Sequence, residues 1–392
     1  MSVMKLAREQ VSDKTTFSAP PATTGYVSEV DALRGLAMTG VVAQHCGLLP
    51  FGWTGVWLFY VISGFAITSS LLASDRAPHS KLFLVRNFYV RRCLRIWPLY
   101  FIFVIGNMIA ALIAGYSDVL ASAPWLATFT YNYRMMLHDE NWSMFGHLWT
   151  ISVEEQFYFI FPFLFAFLSR RRLVIALWIC IIFSPFLRSL LTYWFDSFSQ
   201  DNLRKAFWLY AFAPAHFDAF SAGALLALCR PFLAFRLRFA RVFLAVALGA
   251  AIAYGCIYVS INVSTQGFGK DSLRNVFSGI LWGQGRQIWL YSTITGLACG
   301  LIALILAGEP WLLAGCRLPL LRPIGRVSYG AYVFHLPVLA LYQFLWPAHS
   351  AAFSLTHSLA KFAFGYPVTL LIAFLSFRYF EMPILKLRAR FA

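Results

Sequence analysis

Residues Glu29–His45 read EVDALRGLAMTGVVAQH, and the hairpin into the next apolar segment continues as Gly52–Phe65, GWTGVWLFYVISGF. Arg34 and His45 lie within a run that is long enough to cross a bilayer. They are separated by about three helical turns, so both point the same way, ~16 Å apart along the helix axis. Ionisable side chains at membrane depth rarely face lipid, so the pattern predicts a polar cavity inside a helical bundle. The alternative is that Arg34 reaches the interface while His45 bonds a backbone carbonyl.

The rest of the chain consists largely of similar apolar runs, each near twenty residues long. Its 392 residues are 60% hydrophobic and 12% charged, and that charged fraction is about half of what a soluble domain carries. Runs of this length are typical of membrane-spanning helices. The composition therefore predicts an all-α, polytopic integral membrane protein that contacts membrane lipids.

The chain has a net charge of +16, and its basic residues are distributed unevenly among the loops. In a soluble protein it would suggest nucleic acid, but here Lys and Arg fall on alternate loops, which is the pattern that orients membrane proteins. We therefore expect no nucleic-acid partner, about ten transmembrane helices, and both termini in the cytoplasm. The predicted spans are residues 29–49, 54–73, 96–115, 147–168, 173–194, 207–229, 242–261, 288–307, 327–346 and 358–380.

The domain organisation is simple. Residues 1–27 are polar and lack the charged start, apolar core and cleavage site of a signal peptide, so we predict a flexible cytoplasmic tail. Residues 28–392 are predicted to form a single membrane-embedded domain. The seven cysteines include no CxxC pair and indicate neither a disulfide framework nor a metal site. Cys46, beside His45, is either a nucleophile or a small buried apolar residue.

A cluster of arginines begins the third predicted span, where the sequence reads Arg91-Arg92-Cys93-Leu94-Arg95. Residues three or four positions apart share a helix face, so Arg95 is a neighbour of both Arg91 and Arg92. Guanidinium groups on one face suit bidentate binding of phosphates. An anchor that contacts anionic lipid is the alternative.

Two adjacent carboxylates, Glu154 and Glu155, lie inside the fourth predicted span. Carboxylates within the bilayer are costly and mark functional sites. Counted at ~1.5 Å per residue, Glu154 and His45 fall at similar depths below the outer surface. We therefore expect a carboxylate to orient a His45 imidazolium, as in catalytic dyads, with a structural hydrogen-bond network as the alternative.

Two further polar clusters lie at membrane depth. Asp218 precedes a run of small residues in the sixth predicted span, and the ninth opens with Ser328 and Tyr329 ahead of His335. Small residues permit close helix packing, whereas Asp218 and His335 need polar partners. Each cluster is open to a structural or a catalytic interpretation.

Taken together, these stretches resemble the acyltransferase-3 family of integral-membrane O-acyltransferases over nearly the whole chain from about residue 28. The similarity rests on an ordered set of motifs rather than on any one of them. These are Arg34 with His45, Phe59–Phe65, Arg-Arg-x-x-Arg-Ile-x-Pro-x-Tyr at 91–100, Trp149 with Glu154–Tyr158, and Ser328-Tyr329 with His335.

The resemblance implies transfer of an acyl group, usually acetyl, from cytoplasmic acyl-CoA to a hydroxyl of a saccharide or glycolipid at the outer face. Acyl-CoA would act as a co-substrate, with no permanently bound cofactor, and the protein would lie in the bacterial cytoplasmic membrane. By position, His45 is implied as the catalytic histidine, supported by Glu154 and with less weight by Glu155. The implied CoA-phosphate ligands are Arg34, Arg91, Arg92 and Arg95, and the implied supporting residues are Ser63, Trp149, Tyr158, Asp218, Ser328, Tyr329 and His335.

Three questions stay open at this level. His45 is either a general base or a transiently acylated nucleophile. Because the sequence ends at Ala392, whereas the longest family members carry an appended domain, we expect acceptor choice to rest on the outward loops or on a separate polysaccharide-biosynthesis protein. A transporter with a His/Glu/Asp relay is the competing functional class, although no internal repeat supports it.

Overall fold

The computed structural model describes residues 27–75, 80–138, 144–234, 236–269, 272, 276, 278–347 and 354–387. Within these residues the protein contains helices and connecting turns and no strand. The predicted N-terminal tail lies outside the described residues apart from Val27, as do parts of both outward loops. The α-helices are α1 (Ser28–His45), α2 (Thr54–Ser74), α3 (Lys81–Ile113), α4 (Ala123–Ala127), α5 (Tyr131–His138), α6 (Trp149–Phe167), α7 (Arg170–Phe198), α8 (Asn202–Ala211), α9 (Phe217–Leu233), α10 (Leu237–Gln266), α11 (Arg286–Leu306), α12 (Pro310–Cys316), α13 (Leu321–Arg326), α14 (Ser328–Leu345), α15 (Leu355–Ser376) and α16 (Met382–Lys386).

The protein is a multi-pass membrane protein. In the described part, six stretches are long and apolar enough to span a bilayer: α2, α3, α7, α10, α11, and α15 continued through α16. Helix α8 and the helical residues 213–233 are bent by 72° relative to each other. Counted together as one span, they make a seventh candidate. Three further predicted spans correspond to α1, α6 and α14, and these helices carry Arg34, Glu154 and His335. Their polar side chains make them less apolar than the other six, and the predicted total of ten is not confirmed.

Burial separates central helices from peripheral ones. In the apolar 18-residue stretches of α2 and α11, 61% of the residues are buried inside the protein. In the corresponding stretch of α10 the buried share is 17%. Apolar side chains are exposed along the peripheral helices, including Ile252 and Val246 of α10, as expected where lipid replaces water as the solvent. Helices α2 and α11 therefore lie at the centre of the bundle, and α10 lies at its periphery.

Helix α2 is fixed in this centre by a close crossing with α9. A methyl group at Gly64 would lie 1.9 Å from the carbonyl oxygen of Phe220, and one at Gly223 would lie 1.9 Å from that of Val61. The two backbones touch because neither glycine has a side chain, which is the usual way that membrane helices approach closely. The crossing fixes Ser63, the neighbour of Gly64, against the interior.

Helix α3 differs from its prediction. It begins at Lys81, where the Ser80 hydroxyl accepts a hydrogen bond of 3.2 Å from the Phe83 amide, and it runs for 33 residues. The span predicted at 96–115 begins inside this longer helix. Arg91, Arg92 and Arg95 lie ~15–21 Å along α3 from its first residue. Their side chains line an internal polar cavity.

Candidate active site

The predicted phosphate-binding arginines line one cavity of about 300 Å³, which we call the arginine basin. Its charged lining residues are Asp31, Arg34, Arg91, Arg92, Arg95 and Arg326. Arg326 was not among the predicted site residues, because it was taken as an ordinary residue of a basic loop. Five guanidinium groups face one carboxylate in this lining, so the basin has a strong excess of positive charge.

Part of this charge is balanced locally. Arg326 lies 3.8 Å from Asp31, and Arg95 lies 3.4 Å from the buried carboxylate of Glu381. Arg34 differs, because its Nε atom is buried and has no hydrogen-bond partner among the described residues. A buried, unpaired guanidinium nitrogen is unfavourable unless an acceptor occupies the site. The basin is therefore suited to an anionic ligand.

A second cavity, the central chamber, adjoins the basin and has a volume of about 110 Å³. Arg34, Arg92 and Arg95 line both cavities. Glu154 lies in the chamber and accepts hydrogen bonds from the Ser63 hydroxyl at 3.2 Å and the Tyr158 hydroxyl at 3.1 Å. The chamber thus places one carboxylate among three guanidinium groups.

Part of the wall of the central chamber comes from α14. Ser328 and Tyr329 both line it. The Tyr329 hydroxyl donates to the carbonyl of Ile96 at 2.7 Å, and the Arg95 guanidinium lies 5.9 Å from the Tyr329 ring centre. The Ser328 hydroxyl is buried and has no partner in the described part. Four predicted supporting residues, Ser63, Tyr158, Ser328 and Tyr329, therefore line the same chamber as Glu154.

His45 lies in a third cavity, the histidine cavity, of about 120 Å³. It is the last residue of α1 and is half-buried. His147 and Gln44 also line this cavity, and its aromatic lining includes Trp53, Trp149 and Tyr210. Trp149, a predicted supporting residue, is buried, and its ring centre lies 4.8 Å from that of Tyr210.

The end of α1 is held by neighbours from two other helices. The imidazole of His335 on α14 lies 5.1 Å from that of His45, measured between ring centres, and His147 lies 5.1 Å from His335. The Lys361 ammonium on α15 donates to the His45 carbonyl at 3.2 Å. His147 and Lys361 were absent from the predicted site. A lone lysine inside the apolar run at 358–380 was a usable signal, because charge at that depth needs a partner.

The central chamber and the histidine cavity share a wall. Val56, Thr150 and Tyr332 line both cavities. The Thr150 hydroxyl donates to the Tyr332 hydroxyl at 2.7 Å, and Tyr332 donates to the carbonyl of His147 at 3.0 Å. We call these three residues the partition. The arginine basin, the central chamber and the histidine cavity thus form a series, each sharing lining residues with the next.

The expected pairing of His45 with Glu154 is not found among the described residues. Glu154 bonds Ser63 and Tyr158 on the arginine side of the partition, whereas His45 lies on the other side. Thr150 and Glu154 are four residues apart on one face of α6, so Glu154 lies one turn, ~6 Å, deeper. The predicted depths of Glu154 and His45 were counted from approximate span ends, and this count was too coarse to place the two residues on opposite sides of the partition.

Glu155 faces a different cavity from Glu154, since adjacent helical residues point ~100° apart. It lines a lateral groove of about 720 Å³ and accepts a hydrogen bond of 3.1 Å from the Trp97 indole. Phe159 and Ile160 also line this groove and are exposed on the outer surface of the bundle. The predicted catalytic role of Glu155 therefore has no support from its position, which is outside the lining of the central chamber.

Asp218 lies away from these cavities. Its carboxylate forms a fully buried ion pair with Arg188 of α7, which also donates to the Ser292 hydroxyl at 3.0 Å. The three residues join α9, α7 and α11. Of the two interpretations left open by the sequence, the position of Asp218 favours the structural one.

Comparison with known proteins finds a family match over most of the chain. The sequence profile of the acyltransferase-3 family, described as an acyltransferase domain, matches residues 27–378. The peptidoglycan O-acetyltransferase OatA of Listeria monocytogenes is 27% identical over 392 aligned residues, covering 92% of this chain and 56% of that protein. This chain therefore spans about half the length of that relative.

Two relatives that match shorter parts of the chain are also named as O-acetyltransferases. A putative O-acetyltransferase of Staphylococcus aureus strain COL is 30% identical over 148 residues, covering 35% of this chain and 24% of that protein. The putative peptidoglycan O-acetyltransferase YrhL of Bacillus subtilis is 26% identical over 186 residues, covering 42% and 28%. No solved structure gives a significant match. Because the family profile matches far more than half of the chain, the protein belongs to the acyltransferase-3 family.

Proposed function

We propose that the protein transfers an acyl group from cytoplasmic acyl-CoA to a hydroxyl of a saccharide or glycolipid at the outer side of the membrane. The observation that carries this proposal is the series of three cavities. Arg34, Arg92 and Arg95 join the first two, and Val56, Thr150 and Tyr332 join the second to the third. A phosphate-rich donor therefore has a series of adjoining cavities that leads towards His45 and is interrupted by the partition.

The arginine basin is the proposed site for the phosphates of CoA. Guanidinium groups bind phosphate oxygens through paired, charge-assisted hydrogen bonds. Arg34, whose Nε atom is buried without a partner, would gain an acceptor when a phosphate binds. The uncharged arm of CoA would then extend through the central chamber and carry the thioester towards the partition.

The histidine cavity is the proposed site of the acceptor. Aromatic faces beside hydrogen-bonding side chains suit a sugar ring, and here Trp53, Trp149 and Tyr210 lie beside Gln44 and His147. The names of the relatives support a saccharide, since two of them are called peptidoglycan O-acetyltransferases. They also support acetyl as the transferred group.

The proposed chemistry needs a base at His45. Its imidazole takes the proton of the acceptor hydroxyl as the oxygen attacks the thioester carbonyl. The new C–O bond forms, the C–S bond breaks, and the proton passes to the departing sulfur of CoA. A neutral imidazole can take the hydroxyl proton near pH 7, and the imidazolium that results can give it to the sulfur. An acyl-histidine intermediate is the alternative route, and single-turnover trapping of labelled protein distinguishes the two.

The proposed orientation follows from the basic loops. Ten transmembrane passes with both termini in the cytoplasm would place the arginine basin on the inner side and His45 near the outer side. The bacterial cytoplasmic membrane has this arrangement of acyl-CoA inside and cell-wall saccharide outside. Helices α1, α6 and α14, which are less apolar than the six clear spans, would be the additional passes, shielded within the bundle.

The test is release of the CoA thiol from acetyl-CoA by purified protein in nanodiscs, with and without a peptidoglycan-derived oligosaccharide. Wild-type protein should release thiol and acetylate the oligosaccharide. His45→Ala should abolish both while it retains binding of CoA. If wild-type protein neither binds CoA nor releases thiol, the assignment is wrong, and a flux assay in proteoliposomes would then test the transporter.

A further inference from the structure

Two buried histidines lie beside the end of α1, and one of them contacts His45. The ring of His335 is 5.1 Å from that of His45 at an angle of 48°, and it is fully buried. The partner expected for a catalytic histidine, the Glu154 carboxylate, lies beyond the partition. The position that a carboxylate usually takes beside such a histidine is therefore held by a second imidazole.

The protonation of His335 is fixed by its backbone neighbour. Its Nδ1 atom lies 2.6 Å from the carbonyl oxygen of Tyr332. A carbonyl can only accept a hydrogen bond, so Nδ1 carries the proton of the neutral ring. The Nε2 atom is then left with a lone pair, and it is buried with no partner among the described residues. A buried acceptor without a donor indicates either strain or a function.

The ring of His45, which contacts that of His335, carries an N–H that can supply this donor. Since a ring nitrogen lies roughly 1.2 Å from its ring centre, two nitrogens that face each other across this contact come within hydrogen-bonding distance. His335 Nε2 has no partner among the described residues of this structure, so the half-buried His45 ring must rotate to bring its N–H onto this atom. Catalytic hydrogen bonds commonly shorten only when substrate binds.

We infer that His335 is the positioning residue for His45: its Nε2 accepts the N–H of His45 and so presents the other His45 nitrogen, unprotonated, to the acceptor hydroxyl. This inference rests on the proposed acyl transfer. When His45 takes the hydroxyl proton, the positive charge is shared with His335 through this hydrogen bond. The proton then returns to the sulfur of CoA as the C–S bond breaks, and both rings regain their starting state.

The side-chain geometry of His335 offers a pair of informative variants. In His335→Asn the amide nitrogen can still donate to the Tyr332 carbonyl, but the acceptor at the ε position is lost. In His335→Gln an amide oxygen can occupy the ε position, so an acceptor for His45 is retained. If His335 acted through packing alone, turnover in the two variants would follow their stability, since Asn leaves the larger cavity.

His216 provides a matched control. It is also fully buried, its Nε2 lies 3.0 Å from the carbonyls of Leu209 and Tyr210, and its Nδ1 has no partner in the described part. Its ring contacts are Trp57 and Tyr291 rather than His45. His216→Gln keeps the donor to the carbonyls and deletes the unpaired nitrogen.

The experiment measures kcat and KM for acetyl-CoA, CoA binding and thermal stability of each variant in nanodiscs. We expect kcat to fall by about 10- to 100-fold in His335→Asn, with KM and CoA binding unchanged. His335→Gln should recover much of this loss, and His216→Gln should keep wild-type kcat.

Wild-type kcat in His335→Asn would overturn the inference. Equal losses of kcat in His335→Asn and His335→Gln, in proportion to their losses of thermal stability, would also overturn it, because His335 would then act through packing. An inactive wild-type protein overturns the proposed function itself, and this result is distinct from either pattern among the variants.

Discussion

Thr150 donates a hydrogen bond of 2.7 Å to the Tyr332 hydroxyl, and the two side chains lie in the wall between the central chamber and the histidine cavity. Tyr332 in turn donates to the carbonyl of His147 at 3.0 Å. The wall is therefore held by two specific hydrogen bonds rather than by packing alone. It separates the arginine-lined part of the route from His45, so the donor thioester must displace this wall or pass it.

Tyr332→Phe should raise thiol release in the absence of acceptor by roughly several-fold. The substitution removes both hydrogen bonds, each of which contributes about 1 kcal/mol, so the ring swings away more often and water reaches the thioester. The measurement is acetyl-CoA hydrolysis without saccharide. Tyr366→Phe is the control, since Tyr366 bonds Thr39 at 2.6 Å between α15 and α1 and does not line the three cavities. Unchanged hydrolysis in Tyr332→Phe would show that the wall does not restrict access.

Arg92→Ala should weaken CoA binding by about tenfold or more. Arg92 lines both the basin and the central chamber, and a hydrogen bond to a charged group contributes about 1.5–3 kcal/mol. Binding measured by titration calorimetry should also weaken as salt increases, because the contact is electrostatic. Arg172→Ala removes an exposed charge near the start of α7 and should bind CoA normally. Equal affinities for the two variants would contradict phosphate binding in the basin.

Glu154 and Glu155 are adjacent, so their Gln variants form a matched pair that tests the position of the catalytic site. Glu154→Gln should lower kcat/KM by about tenfold or more, a loss of at least ~1.4 kcal/mol in transition-state stabilisation. The variant replaces the carboxylate that accepts hydrogen bonds from Ser63 and Tyr158 and that lies in the central chamber with Arg34, Arg92 and Arg95. Glu155→Gln changes the same functional group one residue away, in the lateral groove, and should have a smaller effect. A larger loss in Glu155→Gln would mean that the reacting groups meet in the groove.

Gly64→Ala should strongly destabilise the bundle. The new methyl group would lie 1.9 Å from a backbone carbonyl of α9, so the two helices must separate, and overpacking of this kind costs about 1–3 kcal/mol or more. The readout is the melting temperature in detergent. Gly249→Ala on α10 is the control, because a methyl group there meets nothing within 4 Å. A Gly64→Ala protein as stable as wild type would refute the tight crossing.

Much of the site was predictable from spacing along single helices. Arg91, Arg92 and Arg95 share one cavity because residues three and four apart share a helix face. The convergence of Arg34 with this cluster, and of Ser328 and Tyr329 with Glu154, followed from the ordered family motifs. Helical character and several apolar spans followed from composition.

Relationships between helices were less predictable. Glu154 lies one turn deeper than Thr150 of the partition, on the side away from His45, and span ends predicted from hydropathy are uncertain by about one turn. The contacts of His45 with His335 and Lys361 join segments that lie about 300 residues apart in the chain. Asp218 looked equally suited to catalysis or structure until its buried partner Arg188 was known. Which helix faces which is decided by tertiary packing, and a single sequence does not encode it in any local pattern.

The most direct test of the central claim uses proteoliposomes in which the arginine basin faces outwards. Acetyl-CoA is added outside, and a peptidoglycan-derived oligosaccharide is present outside in one isotopic form and enclosed in another. Mass spectrometry then reports which form is acetylated. Transfer through the series of cavities predicts acetylation of the enclosed oligosaccharide, and its loss in His45→Ala. Acetylation confined to the outside oligosaccharide would contradict it, because donor and acceptor would then meet on the same side of the membrane.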